Sequence, residues 1–303
     1  MKTPQNLKKG DKVALVATAR KVNSDELEFA IKLLKSWELI PVIGKSIGLS
    51  QNQFAGSDLD RKEDFQNQIN NPEIKAIWCA RGGYGTVRIL DLLDFSKLEK
   101  TPKWIIGYSD ITALHSHLHH LNIKSLHAEM PALISQKYQD SAETLKHILF
   151  GNKPTYQWKN NIELFRNGKA EGQLIGGNLS VLYSLCGSIS TLQTEGKILF
   201  LEDLDEYLYH IDRMMQNLKR NHWFENLNGL IIGGMTDMND NTIPFGKTAE
   251  EIIFDTVKSY NFPVCFDFPA GHLKDNKALI MGENVILEVE NSHNSLSFQS
   301  AKN

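Results

Sequence analysis

Lys103-Trp104-Ile105-Ile106-Gly107-Tyr108-Ser109-Asp110-Ile111-Thr112 reads as a short buried strand that breaks at Gly107 and passes at once into a helix. Pro102 punctuates its start, and Trp104, Ile105 and Ile106 are the aromatic and β-branched residues that suit a strand. From Ile111 the apolar positions Ile111, Leu114, Leu118 and Leu121 return at helical spacing. Ser109 thus falls on the sharp turn between the two, where a nucleophile elbow exposes its hydroxyl at the top of a sheet. A helix behind it would aim free N–H groups and a positive dipole end at a bound group. The plainer reading makes Ser109 an N-cap, with Asp110 in the acidic first turn.

The same rhythm extends in both directions. Lys12–Thr18 is a near-continuous apolar run, typical of a strand buried on both faces. A helix follows, with Ser24 as its expected N-cap and Leu27, Ala30, Ile31 and Leu34 on one face. Ile40–Ile43 reads as a strand, 58–70 as a polar helix stopped by Pro72, and Ile74–Ala80 as a third strand. That strand leads into Arg81-Gly82-Gly83-Tyr84-Gly85 and a helix through Leu93. Beyond the Ser109 segment comes Ile123–His127. Strands alternating with helices predict an α/β fold with a doubly wound parallel sheet.

After a helix at Ala142–Phe150, Gly151-Asn152-Lys153-Pro154 and the polar stretch Lys159–Lys169 interrupt the pattern. A length of 303 residues fits two domains. The expected division is 1–153, a linker at 154–169, and 170–303. The second part reads as a strand at Gly172–Ile175, with Gly176-Gly177-Asn178 turning into a helix to Leu185. Lys197–Leu201 is a strand ending in Glu202-Asp203, and Tyr209–Leu218 is helical. Further strands are expected at Leu230–Ile232, Pro263–Phe268 and Val285–Val289, with an edge strand closing the polar tail after Ser292.

Composition narrows the function. A net charge of −3 gives no basic footprint for nucleic acid. Cys79, Cys186 and Cys265 are odd in number and widely spaced, so they suggest buried thiols and no disulfide framework. No stretch reaches the about 18 apolar residues of a membrane span. Lys2 is followed by Thr-Pro-Gln-Asn and not by an apolar signal segment, so the chain is expected in the cytoplasm.

The candidate chemistry lies at carboxyl ends of predicted strands. The Arg81–Gly85 loop offers backbone N–H groups to a ligand or is a plain turn, and its spacing fails the dinucleotide fingerprint. Glu202 and Asp203 are first-turn acids, or a carboxylate that orients an imidazole. His272, in Pro269-Ala270-Gly271-His272, is a solvated loop histidine or that imidazole's owner. His115 and His119 share a helix face at i, i+4, but no acid of a zinc signature lies between them, and no metal or cofactor is expected. Gly82, Ser109, Glu202 and His272 converge because ligands in open α/β sheets bind at that edge. The order Ser…Glu…His is one known arrangement of a serine triad.

Arg81-Gly82-Gly83-Tyr84-Gly85, Gly107-Tyr108-Ser109-Asp110, Gly176-Gly177-Asn178-Leu179, Leu201-Glu202-Asp203 and Pro269-Ala270-Gly271-His272, in this order, resemble the LD-carboxypeptidase family, the S66 serine peptidases. The resemblance runs from about Gly10 to Glu290. It implies a Rossmann-like amino-terminal domain and a smaller, swivelling β/α/β carboxy-terminal domain, usually in a homodimer. It also implies hydrolysis of the bond between an L-centre and a carboxy-terminal D-residue in murein tetrapeptides. A sister branch cleaves the peptide-nucleotide antibiotic microcin C. By motif match Ser109 is the nucleophile, His272 the base and Glu202 the orienting acid. The amides of Gly82 (or its neighbour Gly83) and Asp110 form the oxyanion hole. Arg81 and Asn178 are the expected substrate contacts, and the cleft between the domains is the expected site. Two departures bear on substrate fit: Ala17-Thr18-Ala19-Arg20, where many relatives have Ala-Pro-Ser, and Ala128-Glu129-Met130, where many have Gly-Pro. The resulting expectation is a cytoplasmic serine carboxypeptidase that takes the terminal D-alanine from murein tetrapeptide. The other readings are a microcin-type immunity peptidase, disfavoured by the lack of a long insertion after Asn178, and a silent α/β small-ligand binder.

Overall fold

A computed structural model describes residues 1–135, 139–291 and 293–299. The chain divides into two compact units, Met1–Asn152 with Asp275–Ile280, and Lys153–Lys274 with Met281–Asn303.

The first unit is built on β1 (Lys12–Val16), α1 (Glu28–Ser36), β2 (Ile40–Ile43), α2 (Asp58–Asn70), β3 (Ile74–Cys79), α3 (Thr86–Leu90), α4 (Ser96–Lys100), β4 (Trp104–Gly107), α5 (Thr112–His120), β5 (Ser125–His127) and α6 (Gln139–Leu149). Its sheet runs in the order β2-β1-β3-β4-β5, with a strand from far along the chain, Leu279–Met281 (β11), beside β5. The pairings from β2 to β5 are all parallel. Ala14, Val16, Ile77, Cys79 and Ile105 pack on one face against Phe65 and Ile69 of α2 and Leu114 and Leu118 of α5. Val13, Leu15, Trp78 and Ile106, of opposite parity, are buried as well. Burial of both parities is what a doubly wound parallel sheet requires, and it explains the unbroken apolar runs. The order reverses between β1 and β3, so the segments after these strands flank the topological switch point.

Local chemistry sets the element ends. α2 begins in a capping box: Ser57 Oγ accepts from the Asp60 N–H, and Asp60 Oδ2 accepts from the Ser57 N–H at 2.8 Å. Ser24 does not cap as expected; residues 25–27 form a 3-10 turn, and Glu26 Oε2 takes the Asn23 N–H at 2.8 Å. The helix expected through Leu93 ends at Leu90.

The second unit comprises β6 (Thr155–Trp158), β7 (Gly168–Asn178), α7 (Leu179–Leu185), β8 (Lys197–Leu204), α8 (Leu208–Arg220), β9 (Gly229–Thr236), α9 (Ala249–Val257), β10 (Val264–Cys265), β12 (Asn284–Val289) and β13 (Asn294–Phe298). The sheet order is β10-β9-β8-β7-β12-β13-β6, parallel from β10 to β7 and antiparallel beyond. Ile175, Leu199, Leu201, Leu230 and Ile232 meet Ile211, Met215 and Leu218 of α8 and Ile252 and Ile253 of α9.

Several segments differ from the sequence expectation. The stretch 154–169 carries β6, whose Tyr156 and Trp158 are buried in alternation, and Trp158 Nε1 donates to Phe266 O at 2.8 Å. The strand expected at Gly172–Ile175 runs from Gly168 to Asn178, through both glycines. Gly176 has φ +124°, and a β-carbon there would run into the Phe200 carbonyl, so the glycine that reads as a breaker lets β7 lie close against β8. The strand expected at Pro263–Phe268 is confined to Val264–Cys265, since Asp267 turns out of the ladder at φ +59°. β13 lies between β12 and β6 and is not an edge strand. Of the expected tail, Ser292 and residues 300–303 lie outside the described residues.

Candidate active site

In the first unit the loops after β1, β3 and β4 meet. β4 ends at Gly107, Tyr108 stays extended at φ −146° and ψ −167°, and Ser109 turns to φ +59° before a 3-10 turn leads into α5. A serine held in the left-handed region is locally strained, a feature typical of nucleophile elbows. Neither helical start here takes a side-chain cap, so Ser109 does not act as an N-cap. Its side chain is half-buried.

Gly82 lies directly against it. A β-carbon built on Gly82 would stand 3.0 Å from Ser109 Cβ, 3.1 Å from Ser109 Oγ and 3.4 Å from the Asp110 nitrogen. Two neighbours hold this approach in place. The buried Asp110 carboxylate accepts the Thr86 N–H at 2.8 Å, at the far end of the glycine loop. Burial pushes its carboxyl pKa up, opposed by the Thr86 hydroxyl and then by the N–H groups of Thr86 and Gly85. Arg61, fully buried on α2, donates through Nη1 to Thr18 O at 2.7 Å and to Gly85 O at 2.9 Å, and its other branch pairs with Asp58. Asp110 and Arg61 thus tie the loop after β3 to the loops after β4 and β1. Their part was not legible in the sequence, where Asp58 and Arg61 look like an ordinary i, i+3 surface pair.

In the second unit Glu202 lies near the carboxyl end of β8 and His272 follows β10. Glu202 Oε2 accepts from His272 Nδ1 at 2.6 Å and from the His272 N–H at 3.3 Å. The histidine side chain is 15% exposed and that of Glu202 0%, so the carboxylate works from the interior on a ring that solvent reaches. With Nδ1–H donated to the carboxylate, Nε2 is the basic nitrogen of the neutral ring. Gly271, at φ +101°, makes room: a β-carbon there would stand 2.6 Å from Glu202 Cβ.

Asp203 faces elsewhere, as alternation along a strand dictates. Its Oδ1 accepts from Asn178 Nδ2 and the Leu204 N–H, both at 2.9 Å, and its Oδ2 from the Ser180 N–H at 2.8 Å. Burial, with the neighbouring Glu202 charge, pushes its pKa up to about 7. Asn178 caps α7, its Oδ1 accepting the Val181 N–H at 3.1 Å. Arg81 forms an ion pair with Glu26 at 2.7 Å. Both residues expected as substrate contacts therefore hold protein partners.

The helix histidines have structural surroundings. His115 is buried, with Nε2 against Gly107 O and Nδ1 against Ser125 Oγ, each at 2.8 Å. A carbonyl only accepts, so Nε2 carries the proton and Nδ1 receives the serine hydroxyl. Burial lowers the ring pKa to about 4. No group of three or more metal-ligating side chains occurs among the described residues.

Each of the two units matches a domain of known proteins. Residues 13–128 match the LD-carboxypeptidase N-terminal domain model, and residues 171–287 match the C-terminal domain model. The chain belongs to the LD-carboxypeptidase family, and as a member it is a serine carboxypeptidase. Among similar proteins, a Bacillus subtilis relative named "Probable murein peptide carboxypeptidase" is 32% identical, covering 92% of this chain and 89% of its own. The murein tetrapeptide carboxypeptidase of Pseudomonas aeruginosa is 28% identical, covering 91% and 93%. The microcin C7 self-immunity protein, solved in its wild-type apo state, shares the fold with a TM-score of 0.87 at 22% identity, covering 97% and 98%. No helix among the described residues is long and apolar enough to cross a membrane.

Proposed function

We propose that this enzyme removes the terminal D-alanine from murein tetrapeptide, with Ser109 as nucleophile, His272 as general base and Glu202 as the orienting acid. The N–H groups of Gly82 and Asp110 donate to the oxyanion. The observation that carries the reading is the Glu202–His272 pair, in which a fully buried carboxylate fixes Nδ1 at 2.6 Å. That bond sets the tautomer a serine hydrolase needs and stabilises the imidazolium formed during attack. In the reaction Ser109 Oγ bonds to the carbonyl carbon of the scissile amide and its proton passes to His272 Nε2. The amine leaves with that proton, giving free D-alanine and an acyl-serine, which water then hydrolyses with the same histidine as base. The strained backbone at Ser109 and the contact of Gly82 with its side chain support the serine and oxyanion assignments. The murein substrate is supported by the relatives from Bacillus subtilis and Pseudomonas aeruginosa. A cytoplasmic homodimer acting in peptidoglycan recycling is the setting the family resemblance implies.

The test is incubation with purified murein tetrapeptide, followed by mass spectrometry. Stoichiometric release of D-alanine with formation of tripeptide is expected. An enzyme that leaves tetrapeptide intact but cleaves an aminoacyl sulfamoyl nucleoside belongs to the immunity branch. Failure of Ser109 to label with a serine-reactive phosphonate would favour a silent binding protein.

A further inference from the structure

A carboxypeptidase must distinguish a free terminal carboxylate from an internal peptide bond, and a guanidinium is the side chain whose donors fit a carboxylate as a fork. Arginines surround the loop after β3, and most are engaged. Arg61 is buried on two carbonyls and Asp58, Arg81 pairs with Glu26, and Arg88 grips Asp58 through two bonds of 2.9 and 2.6 Å. Arg20, at the end of the segment after β1, is different. It is exposed, and no ion pair or side-chain hydrogen bond holds its guanidinium among the described residues.

Its position is nevertheless fixed. The Arg20 N–H donates to Gly82 O at 3.4 Å, and Arg20 bridges Phe54 in antiparallel fashion. Its stem crosses Gly83 so closely that a β-carbon on that glycine would overlap Arg20 Cγ and Cδ. Gly82 in turn abuts Ser109 Oγ. Arg20, Gly83, Gly82 and Ser109 therefore form one continuous line of contact within a single unit.

We propose that Arg20 receives the free carboxylate of the departing residue and so sets the specificity for a chain end. The proposal rests on the reading of Ser109 as nucleophile. The lengths agree. The attacked carbonyl carbon and the carboxylate of the next residue are separated by one N–Cα link, roughly 3–4 Å, and Gly82 and Gly83 are separated by one peptide unit, about 3.8 Å between Cα atoms. A carbonyl seated at Gly82 thus brings the carboxylate within one residue's reach of Gly83, which the Arg20 stem crosses on its way to the guanidinium. A substrate ending in an amide, or continuing into another residue, leaves this cation without its partner.

The experiment compares kcat and KM on tetrapeptide ending in free D-alanine and on the same peptide ending in D-alanine amide, for the full chain and for Arg20→Ala, Arg20→Lys and Arg81→Ala. The wild type should prefer the acid by on the order of 10²-fold, the scale of a charge-assisted hydrogen bond. Arg20→Ala should lose about that factor on the acid, mainly in KM, and almost nothing on the amide. Arg20→Lys should recover part of the loss, since it keeps the charge without the fork. Equal losses on both peptides, or an acid preference that survives Arg20→Ala and vanishes in Arg81→Ala, would overturn the assignment. A wild type that cleaves neither peptide would overturn the proposed function itself, and this specificity with it.

Discussion

Glu202 Oε2 holds His272 twice, through Nδ1 at 2.6 Å and through the backbone N–H at 3.3 Å, while the adjacent Asp203 turns to Asn178, Ser180 and Leu204. Neighbouring acids on one strand thus face different tasks, and their amides should separate them. Glu202→Gln keeps the shape but offers an amide that favours the wrong imidazole tautomer, so kcat should fall by on the order of 10⁴. Asp203→Asn places an NH₂ among three N–H donors and should lower the melting temperature more than it lowers kcat. Paired activity and melting measurements check this, and a crippled Asp203→Asn beside a nearly normal Glu202→Gln would reverse the roles.

Gly82→Ala tests the contact with the serine. A methyl group would sit 3.0–3.1 Å from Ser109 Cβ and Oγ, tighter than ordinary packing, and the hydroxyl has to yield. Gly82 is not among the glycines with positive φ, so alanine brings no backbone strain. The expected result is a melting temperature within a few degrees of wild type and a large loss of phosphonate labelling at Ser109. Labelling at the wild-type rate would remove Gly82 from the oxyanion hole.

The legible parts of the fold are those in which local and tertiary demands agree. The central strand–turn–helix was readable because β4 is apolar, Gly107 breaks it and Ile111 restarts a helical period. The bounds of α2 were readable from its polar run and from Pro72, and the start is set just as locally, by the Ser57–Asp60 capping box. What escaped depends on distant partners. Gly176 breaks a pattern locally, yet β8 requires a glycine there. Tyr156 and Trp158 looked like part of a polar linker because the strand that pairs with β6 lies more than a hundred residues away. The chemical groups of the candidate site were visible as motifs at strand ends, but the Arg81–Glu26 and Arg61–Asp58 pairs, which decide which cations are engaged, depend on burial and approach that spacing does not encode.

His115 gives the first unit a defined acid response. Its ring is held neutral between Gly107 O and Ser125 Oγ, with a pKa lowered to about 4 by burial, against 6.5 for the free side chain. Between these values the unfolded chain binds a proton that the native ring does not, so stability rises with pH across the window. The contribution is fully present above about pH 6.5 and is lost as the pH falls toward about 4. Melting temperatures measured from pH 7.5 to 4.5 should fall more steeply for the wild type than for His115→Gln, which cannot titrate. Parallel curves would show that other groups govern the acid limb.

Ser109→Ala removes the oxygen and little else. No cap is lost, because Ser109 makes no capping bond, and alanine at φ +59° carries nearly the same backbone strain as serine. The stability should therefore stay within about 0.5 kcal/mol of wild type, the usual range for a substitution that creates no cavity and no orphaned group. Affinity for tetrapeptide should persist, because the amides of Gly82 and Asp110 and the guanidinium of Arg20 remain. Turnover should drop by on the order of 10⁴–10⁶, and adding His272→Ala should cost little more, since groups that act as one catalytic unit do not lose activity additively. An independent drop from each substitution would mean that Ser109 and His272 work in different steps. A Ser109→Ala enzyme within tenfold of wild type would show that another group attacks the peptide. Isothermal titration and single-turnover kinetics on the same preparations distinguish these outcomes.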